Sequence, residues 1–275
     1  MIDAHVHHWE LGRFRYPWLD DPAFDDLRKN YLAADYRADV AGAPVQGWVD
    51  IQAEVDHQLD PVRETAWVSA LAEEASASRL PGPVACVVYA DLRAANLREV
   101  LSSHCRFPLS RGVRQEAWFD PVSTRADIPR EDLLNDPAWQ AGYRCLAEFG
   151  LSFDLLVWPR HLQQAAAFIA EVRAVPVALE HLGLPDPGGG SRAPNLAGWC
   201  HGSGAGSSCL RQAVGIQRAR QSARRGSRTQ FDERAPRALW SASVHGRQQF
   251  ASRTPCRGLQ LALRACSRQP ERSVR

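Results

Sequence analysis

Apolar residues recur along the first two thirds of the chain in two rhythms. Short, nearly continuous runs alternate with longer stretches whose apolar positions fall three and four apart. Ile2–Val6 reads as a first strand, followed by a long aromatic-rich loop around Tyr16-Pro17-Trp18-Leu19. Trp48–Ala53 reads as a second strand. Asp60 and Pro61 then supply an N-cap and a first-turn proline for a helix running to about Ala77. Pro83–Ala90 is an unbroken apolar run, the pattern of a strand buried on both faces. Leu97–Leu101 belongs to the next helix and Gly112-Val113-Arg114 to a fourth strand. Asp136-Pro137 opens a further helix with Trp139, Tyr143 and Leu146 on one face, closed by Gly150. Phe153–Val157 is a fifth strand, Pro159–Val172 a helix and Val175–Leu179 a sixth strand. Strands alternating with helices in this way predict an α/β fold on a parallel sheet. The expected architecture is a (β/α)8 barrel of which about six units are present. The remaining two strands should lie in residues 187–275.

That segment does not supply them. It is rich in Arg, Ser, Gly and Gln, and only Leu259–Ala265 has an amphipathic pattern. The formal net charge of +2 hides the contrast between the two parts. Residues 1–186 carry 28 acidic against 17 basic side chains, and residues 187–275 carry 3 against 16. The chain therefore divides into a barrel-like part, 1–186, and an anomalous basic part, 187–275, with the composition of a disordered tail. A functional tail of this charge would favour nucleic acid. It lacks the interleaved aromatics of single-strand binders, so a small-molecule substrate is the expected partner and nucleic acid is not. No run approaches the roughly 18 apolar residues of a membrane span. The N-terminus, Met1-Ile2-Asp3-Ala4-His5, is not a secretory signal, which gives a cytoplasmic expectation. The seven cysteines are irregularly spaced with no Cys-x-x-Cys pair, so free thiols are expected.

The sharpest chemical feature is His5-Val6-His7 at the end of the first strand. Side chains two apart on a strand point the same way, so both imidazoles can reach one ion, and together they make half of a zinc site. The alternative is a pair of solvated histidines.

The opening Ile2-Asp3-Ala4-His5-Val6-His7-His8-Trp9 is followed by Tyr16-Pro17-Trp18-Leu19 and Tyr31-Leu32-Ala33-Ala34-Asp35-Tyr36. The series continues through Val49–Glu54, Asp60–Trp67, Arg111–Gln115, Leu151–Leu155 and Glu180–Pro185. In this order the motifs resemble the amidohydrolase-2 family of metal-dependent barrel hydrolases, nearest to its sugar-lactone and related lactone hydrolases. The resemblance covers residues 1–186. It implies hydrolysis of a small lactone, of a sugar acid or related compound, by water activated on a divalent metal ion, zinc for preference. His5 and His7 then map to the first-strand metal ligands, and His181 to a ligand or substrate contact after the sixth strand. Glu180 stands where the family more often has Asp. Arg114 would bind substrate at the C-terminal face of the barrel, its guanidinium suited to a carboxylate or a polarised lactone carbonyl. A rim ion pair is its structural alternative. Gln115, Glu54 and Trp9 complete the substrate-facing candidates. Glu54 and Asp154, both at strand ends, could equally be structural partners. His8, His57, His104 and His161 match no motif and are expected at the surface or in helix packing. A decarboxylase of the same barrel family is the enzymatic alternative, and a protein with an Arg-rich nucleic-acid-binding tail the non-catalytic one.

In the family the catalytic carboxylate is an Asp after the eighth strand, often within Gly-Ser-Asp-x-Pro, although the lactonase branch frequently reads Gly-Ser-Asn-x-Pro. Neither triplet occurs in residues 187–275. Read one nucleotide later, the codons of Val244–Arg253 can spell Met-x-Gly-Ser-Asn-Leu-Pro-Val. Those of His201–Gly206 can spell the helix-forming Met-Ala-Arg-Ala-Leu-Ala. A single frame slip between Pro187 and Cys200, with the codon after Trp199 as a candidate point, accounts for both. The chain as it stands is accordingly expected to be unstable and inactive.

Overall fold

The computed structural model describes residues 1–117, 132–182 and the backbone of 209–211. Its strands are β1 (Ile2–Val6), β2 (Gly47–Ile51), β3 (Gly82–Tyr89), β4 (Ser110–Arg114), β5 (Ser152–Leu155), β6 (Val177–Leu179) and β7 (Cys209–Arg211). Between them lie α1 (Ala33–Asp39), α2 (Val62–Ala77), α3 (Leu97–His104), α4 (Pro137–Phe149) and α5 (Leu162–Glu171). The strands pair in sequence order, β1 to β7, and every pairing is parallel. This is the βα alternation expected from the apolar pattern. Two elements escaped it. Helix α1 buries only Ala33 and Tyr36, too narrow a stripe to stand out as a period. Strand β7, three residues long, pairs with Val177–Leu179 and lies within the basic segment.

The sheet is strongly curled. Strands β1 and β6 are five inter-strand steps apart, which in a flat sheet would be about 24 Å. Yet the ring of His5, on β1, lies 5.0 Å from the ring of His181, just beyond β6. Only a sheet wrapped toward a barrel brings those strand ends together. Among the described residues β1 has β2 alone as its neighbour, so the barrel is not closed there.

The main core lies between the sheet and its helices. Cys86 and Val88 of β3 and Val113 of β4 pack with Trp67 and Val68 of α2 and with Leu97 and Leu101 of α3. Trp139, Tyr143, Phe153 and Phe168 form an aromatic block where α4 and α5 meet β5. The aromatic loop after β1 folds into short 3-10 turns at Pro17–Asp20 and Pro22–Leu27, burying Trp18, Leu19, Phe24 and Leu27. No helix among the described residues is long and apolar enough to cross a membrane. Cys86, Cys105 and Cys145 are free thiols, and the side chains of the other four cysteines lie outside the described residues.

Candidate active site

The C-terminal ends of β1, β2, β4, β5 and β6 surround one buried polar cluster. A register shift between Asp3 and Val6 re-aims the end of β1. His5 and His7 then meet with their Nε2 atoms 2.8 Å apart and their rings edge to face. The Nδ1 of His7 lies 2.9 Å from the Ile51 carbonyl and 3.1 Å from that of Gln52. A carbonyl can only accept, so Nδ1 carries the proton. Burial, with the neighbouring His5 and Arg114, holds the His7 pKa well below the usual histidine value. His7 is therefore neutral and presents its Nε2 lone pair, the tautomer a metal ligand needs.

Beyond β6 the chain makes a 3-10 turn at Glu180–Leu182 in which His181 takes a left-handed backbone conformation, φ 46°. Few residues other than glycine adopt it, and such strain concentrates at functional sites. The turn brings Glu180 Oε1 to 3.7 Å from His5 Nδ1. Ligand atoms of His5, Glu180 and His181 all lie within 4.8 Å of one another. Two imidazoles and a carboxylate, with His7 adjoining, form a mixed N/O donor set suited to a zinc-like divalent ion. Two nitrogens on one tetrahedral zinc sit about 3.3 Å apart, so His5 and His7 would need to part by only about half an ångström to share one. The donors thus fit the ion that the resemblance implies.

Arg114, at the end of β4, is 1% exposed. Its Nη1 lies 3.3 Å from Glu180 Oε2, while Nη2 donates to the Gln52 carbonyl at 2.8 Å and lies 3.6 Å from Glu54 Oε1. Burial works against its charge, but Glu180 and Glu54 more than offset this and its pKa rises. The ion pairs of Arg114 are thus buried rather than at the rim, and the Nε of the same guanidinium, sealed from solvent, is left without a hydrogen bond among the described residues. Glu54 also takes a left-handed conformation, φ 53°. Its backbone N–H donates to Gln52 Oε1 at 2.6 Å, the Gln52 amide donates back to Glu54 Oε1, and its Oε2 lies 2.8 Å from His57 Nε2. Burial pushes the Glu54 pKa up, but the His57 hydrogen bond and the nearby charges outweigh it and the carboxyl stays ionised. Asp154 pairs with Arg114 in strand register, and burial, reinforced by Glu180, drives its pKa well above the carboxylate range.

Of the candidate residues, His5, His7, His181, Arg114, Glu54 and Asp154 converge here. Two others stand elsewhere. Trp9 is fully buried in the aromatic core, its indole N–H donated to the Leu27 and Lys29 carbonyls at 3.2 and 2.6 Å. Gln115 is turned outward, accepting from Leu92 N–H and the Trp139 indole and donating to Asp91. Gln115 directly follows Arg114, the last residue of β4, so the strand's alternation turns it to the other side. Trp9 lies past the end of β1, where its backbone bridges to Tyr31 and carries it away from His5 and His7. The histidines without a motif also divide. His104 does bind α3 to its neighbours, through Thr65 at 2.8 Å and the Tyr89 carbonyl at 3.0 Å. His8 is neither at the surface nor on a helix: it is 1% exposed, with Nδ1 2.6 Å from Asp50. His57 reaches the polar cluster through Glu54. The only trace of this in the sequence is its spacing of three from that residue. The segment in which an eighth strand is expected, within 187–275, lies outside the described residues apart from the backbone of 209–211.

The amidohydrolase family profile, Amidohydro_2, matches residues 2–200. An L-fucono-1,5-lactonase of Burkholderia multivorans is 30% identical over 186 residues, which cover 67% of this chain and 56% of that protein. A second, from Burkholderia ambifaria, is 25% identical over 189 residues, covering 67% and 57%. The uncharacterized protein y4mH of Sinorhizobium fredii is 28% identical over 191 residues, covering 67% and 62%. The chain thus spans about three fifths of the length of these relatives. Among solved structures, a zinc-bound amidohydrolase from Burkholderia multivorans superposes with a TM-score of 0.58 at 26% identity, over 83% of this chain and 74% of that one. With the profile spanning well over half its length, the chain belongs to the amidohydrolase family.

Proposed function

We propose that the site is that of a divalent-metal-dependent lactonase acting on a small sugar-acid lactone. The observation that carries this is the meeting of His5, Glu180 and His181 beside the buried Arg114. The lactonase names among the relatives and the zinc in a related structure support it. His5, His7, His181 and Glu180 would hold the ion. Bound there, it would acidify a water and polarise the ester carbonyl. Arg114 orients the substrate: its buried Nε is placed to donate to a lactone oxygen, and to the carboxylate that ring opening leaves behind. The closed surroundings of the cluster exclude bulk water and strengthen each of these contacts.

The family match ends at residue 200, beside Trp199, the candidate point for the frame slip. On this view residues 1–186 carry the metal- and substrate-holding part of the site. The eighth-strand motif, in the Gly-Ser-Asn form of the lactonase branch, is encoded downstream in the alternative frame. The test is to assay the chain as it stands, and a version with the frame restored after codon 199, against a panel of sugar-acid lactones that includes L-fucono-1,5-lactone. The restored protein should hydrolyse at least one, lose activity with chelator and regain it with zinc or manganese. The present chain should show little turnover. Lactonase activity that persists unchanged in chelator would overturn the metal-dependent mechanism, and no activity in either version would overturn the lactonase assignment.

A further inference from the structure

We infer that His57 is a positioning residue for Arg114: acting through Glu54, it fixes the direction of the guanidinium and so sets how tightly the site holds its substrate. The substrate-holding role of Arg114 rests on the function proposed above, whereas the brace itself does not.

The brace can be followed atom by atom. Glu54 leaves β2 with its backbone in the left-handed region, and the Gln52 side chain clasps it at both the backbone N–H and the carboxylate. One carboxylate oxygen faces Arg114 Nη2 at 3.6 Å and the other meets His57 Nε2 at 2.8 Å. Glu54 alone would be a poor anchor, because a carboxylate can swing about its last torsion, which has only broad preferences. Gln52 holds one of its oxygens and His57 the other, and together they remove that freedom. The His57 ring lies flat on Tyr89, centroids 3.9 Å apart and planes within 9°. Tyr89 is the last residue of β3 and pairs in register with Arg114 on β4. The chain of contacts runs from β4 through Glu54 to His57 and returns through Tyr89 to the strand beside its starting point. Such a closed loop defines a guanidinium direction that no single ion pair would.

The ion pairs also leave one guanidinium nitrogen without a hydrogen bond among the described residues. Glu180 and Glu54 engage the two Nη groups, and that nitrogen, the buried Nε, can still donate to a ligand. A shift of Glu54 would turn the guanidinium and misdirect that N–H. His57 is itself 34% exposed at its side chain, while Glu54 and Arg114 are sealed at 1% each. It can therefore be altered with little loss of core packing.

The direct test is hydrogen exchange at the Arg114 Nε–H, followed by NMR in the full chain labelled with 15N-arginine and assigned by its absence in Arg114→Lys. Replacing His57 by Ala should speed this exchange about tenfold with backbone spectra largely unchanged, the scale of one lost hydrogen bond. His57→Gln, which keeps an N–H donor and is the milder change should the Ala variant fold poorly, should restore most of the protection. In a Glu54→Gln background, removing His57 should add little, because the link is already weakened. In any form that turns over a lactone, His57→Ala should raise KM about tenfold and leave kcat within about twofold, as expected for lost binding common to ground and transition states. Unchanged Nε–H exchange in both His57 variants, or fully additive effects with Glu54→Gln, would overturn the brace. A protein that hydrolyses no lactone but shows the exchange pattern would retain the brace and lose the function proposed for it.

Discussion

Glu64 and His104 are buried ionisable side chains whose charged forms the fold disfavours, and they act in opposite directions on stability. Glu64, on α2, accepts the Ala53 N–H at 2.8 Å. Burial, with Asp50 and Glu54 nearby, raises its pKa to about 8 against the opposing Ala53 bond and Arg114. It remains protonated in the fold after the unfolded chain has ionised, so the stability it contributes at low pH is lost as pH rises from about 4.5 to 8. Burial lowers His104 to about 4, although the Tyr89 carbonyl opposes this. The unfolded chain gains a proton there that the fold refuses, so the contribution of His104 is lost as pH falls from about 6.5 to 4. Together the two nearly cancel between roughly pH 4.5 and 6.5, and above that range Glu64 acts alone. Glu64→Gln mimics the protonated acid and keeps the acceptor for Ala53. It should be nearly neutral at pH 4.5 and stabilising by the order of 4 kcal/mol at pH 8. Urea midpoints at pH 4.5, 6.5 and 8 would measure the difference between the two proteins, and a difference constant with pH would contradict the account.

At the scale of elements, α4 was the most legible part of the sequence because its instructions are local. Asp136 accepts the Ala138 and Trp139 N–H groups at 2.8 and 3.4 Å, Pro137 occupies the first turn, and Gly150 ends the helix at φ 66°. Asp136→Ala should cost about 1 kcal/mol, read as a lower thermal midpoint. Gly142 should cost more when changed to Ala, although alanine favours helices: a Cβ there would lie 1.9 Å from the Leu92 carbonyl oxygen, so α4 would have to move away from the loop after β3. If Gly142→Ala were neutral or stabilising, that close approach would not be a constraint. The site was legible where the strand period applied, as at His5, His7 and Arg114. Where the chain leaves the strand, Glu54 and His181 were legible only through the family resemblance, and His57 was not assigned to the site at all. Glu54 and His181 owe their aim to left-handed backbone positions, which no apolar pattern signals. His57 owes its place to a loop that lays it on Tyr89. Trp9 and Gln115 sit within recognisable motifs, but their packing partners, Lys29 and Trp139 among them, are set by tertiary contacts.

The same residues tie the molecule together as a whole. His5 belongs to the first strand and His181 follows the sixth, yet the curl of the sheet brings both beside Glu180. An ion held by this set would join the beginning of the described barrel to its far side. Such an ion would resist uncurling of a sheet whose first strand has, among the described residues, a neighbour on one side only. Binding that requires this convergence cannot occur in the unfolded chain with the same affinity, so it adds directly to stability. At a free metal concentration about a hundred times the dissociation constant the gain is roughly 2.7 kcal/mol. Zinc or manganese added to metal-stripped protein should therefore raise the thermal midpoint in a concentration-dependent way, and chelator should reverse it. His5→Ala and His181→Ala should each abolish most of the shift, although they lie on opposite sides of the sheet's curl. A cation bound only at scattered surface carboxylates would give a weak shift that both variants retain. Calorimetric titration separates the cases: one tight site lost in either variant supports the shared centre, and undiminished binding in His181→Ala would show that β1 alone holds the ion.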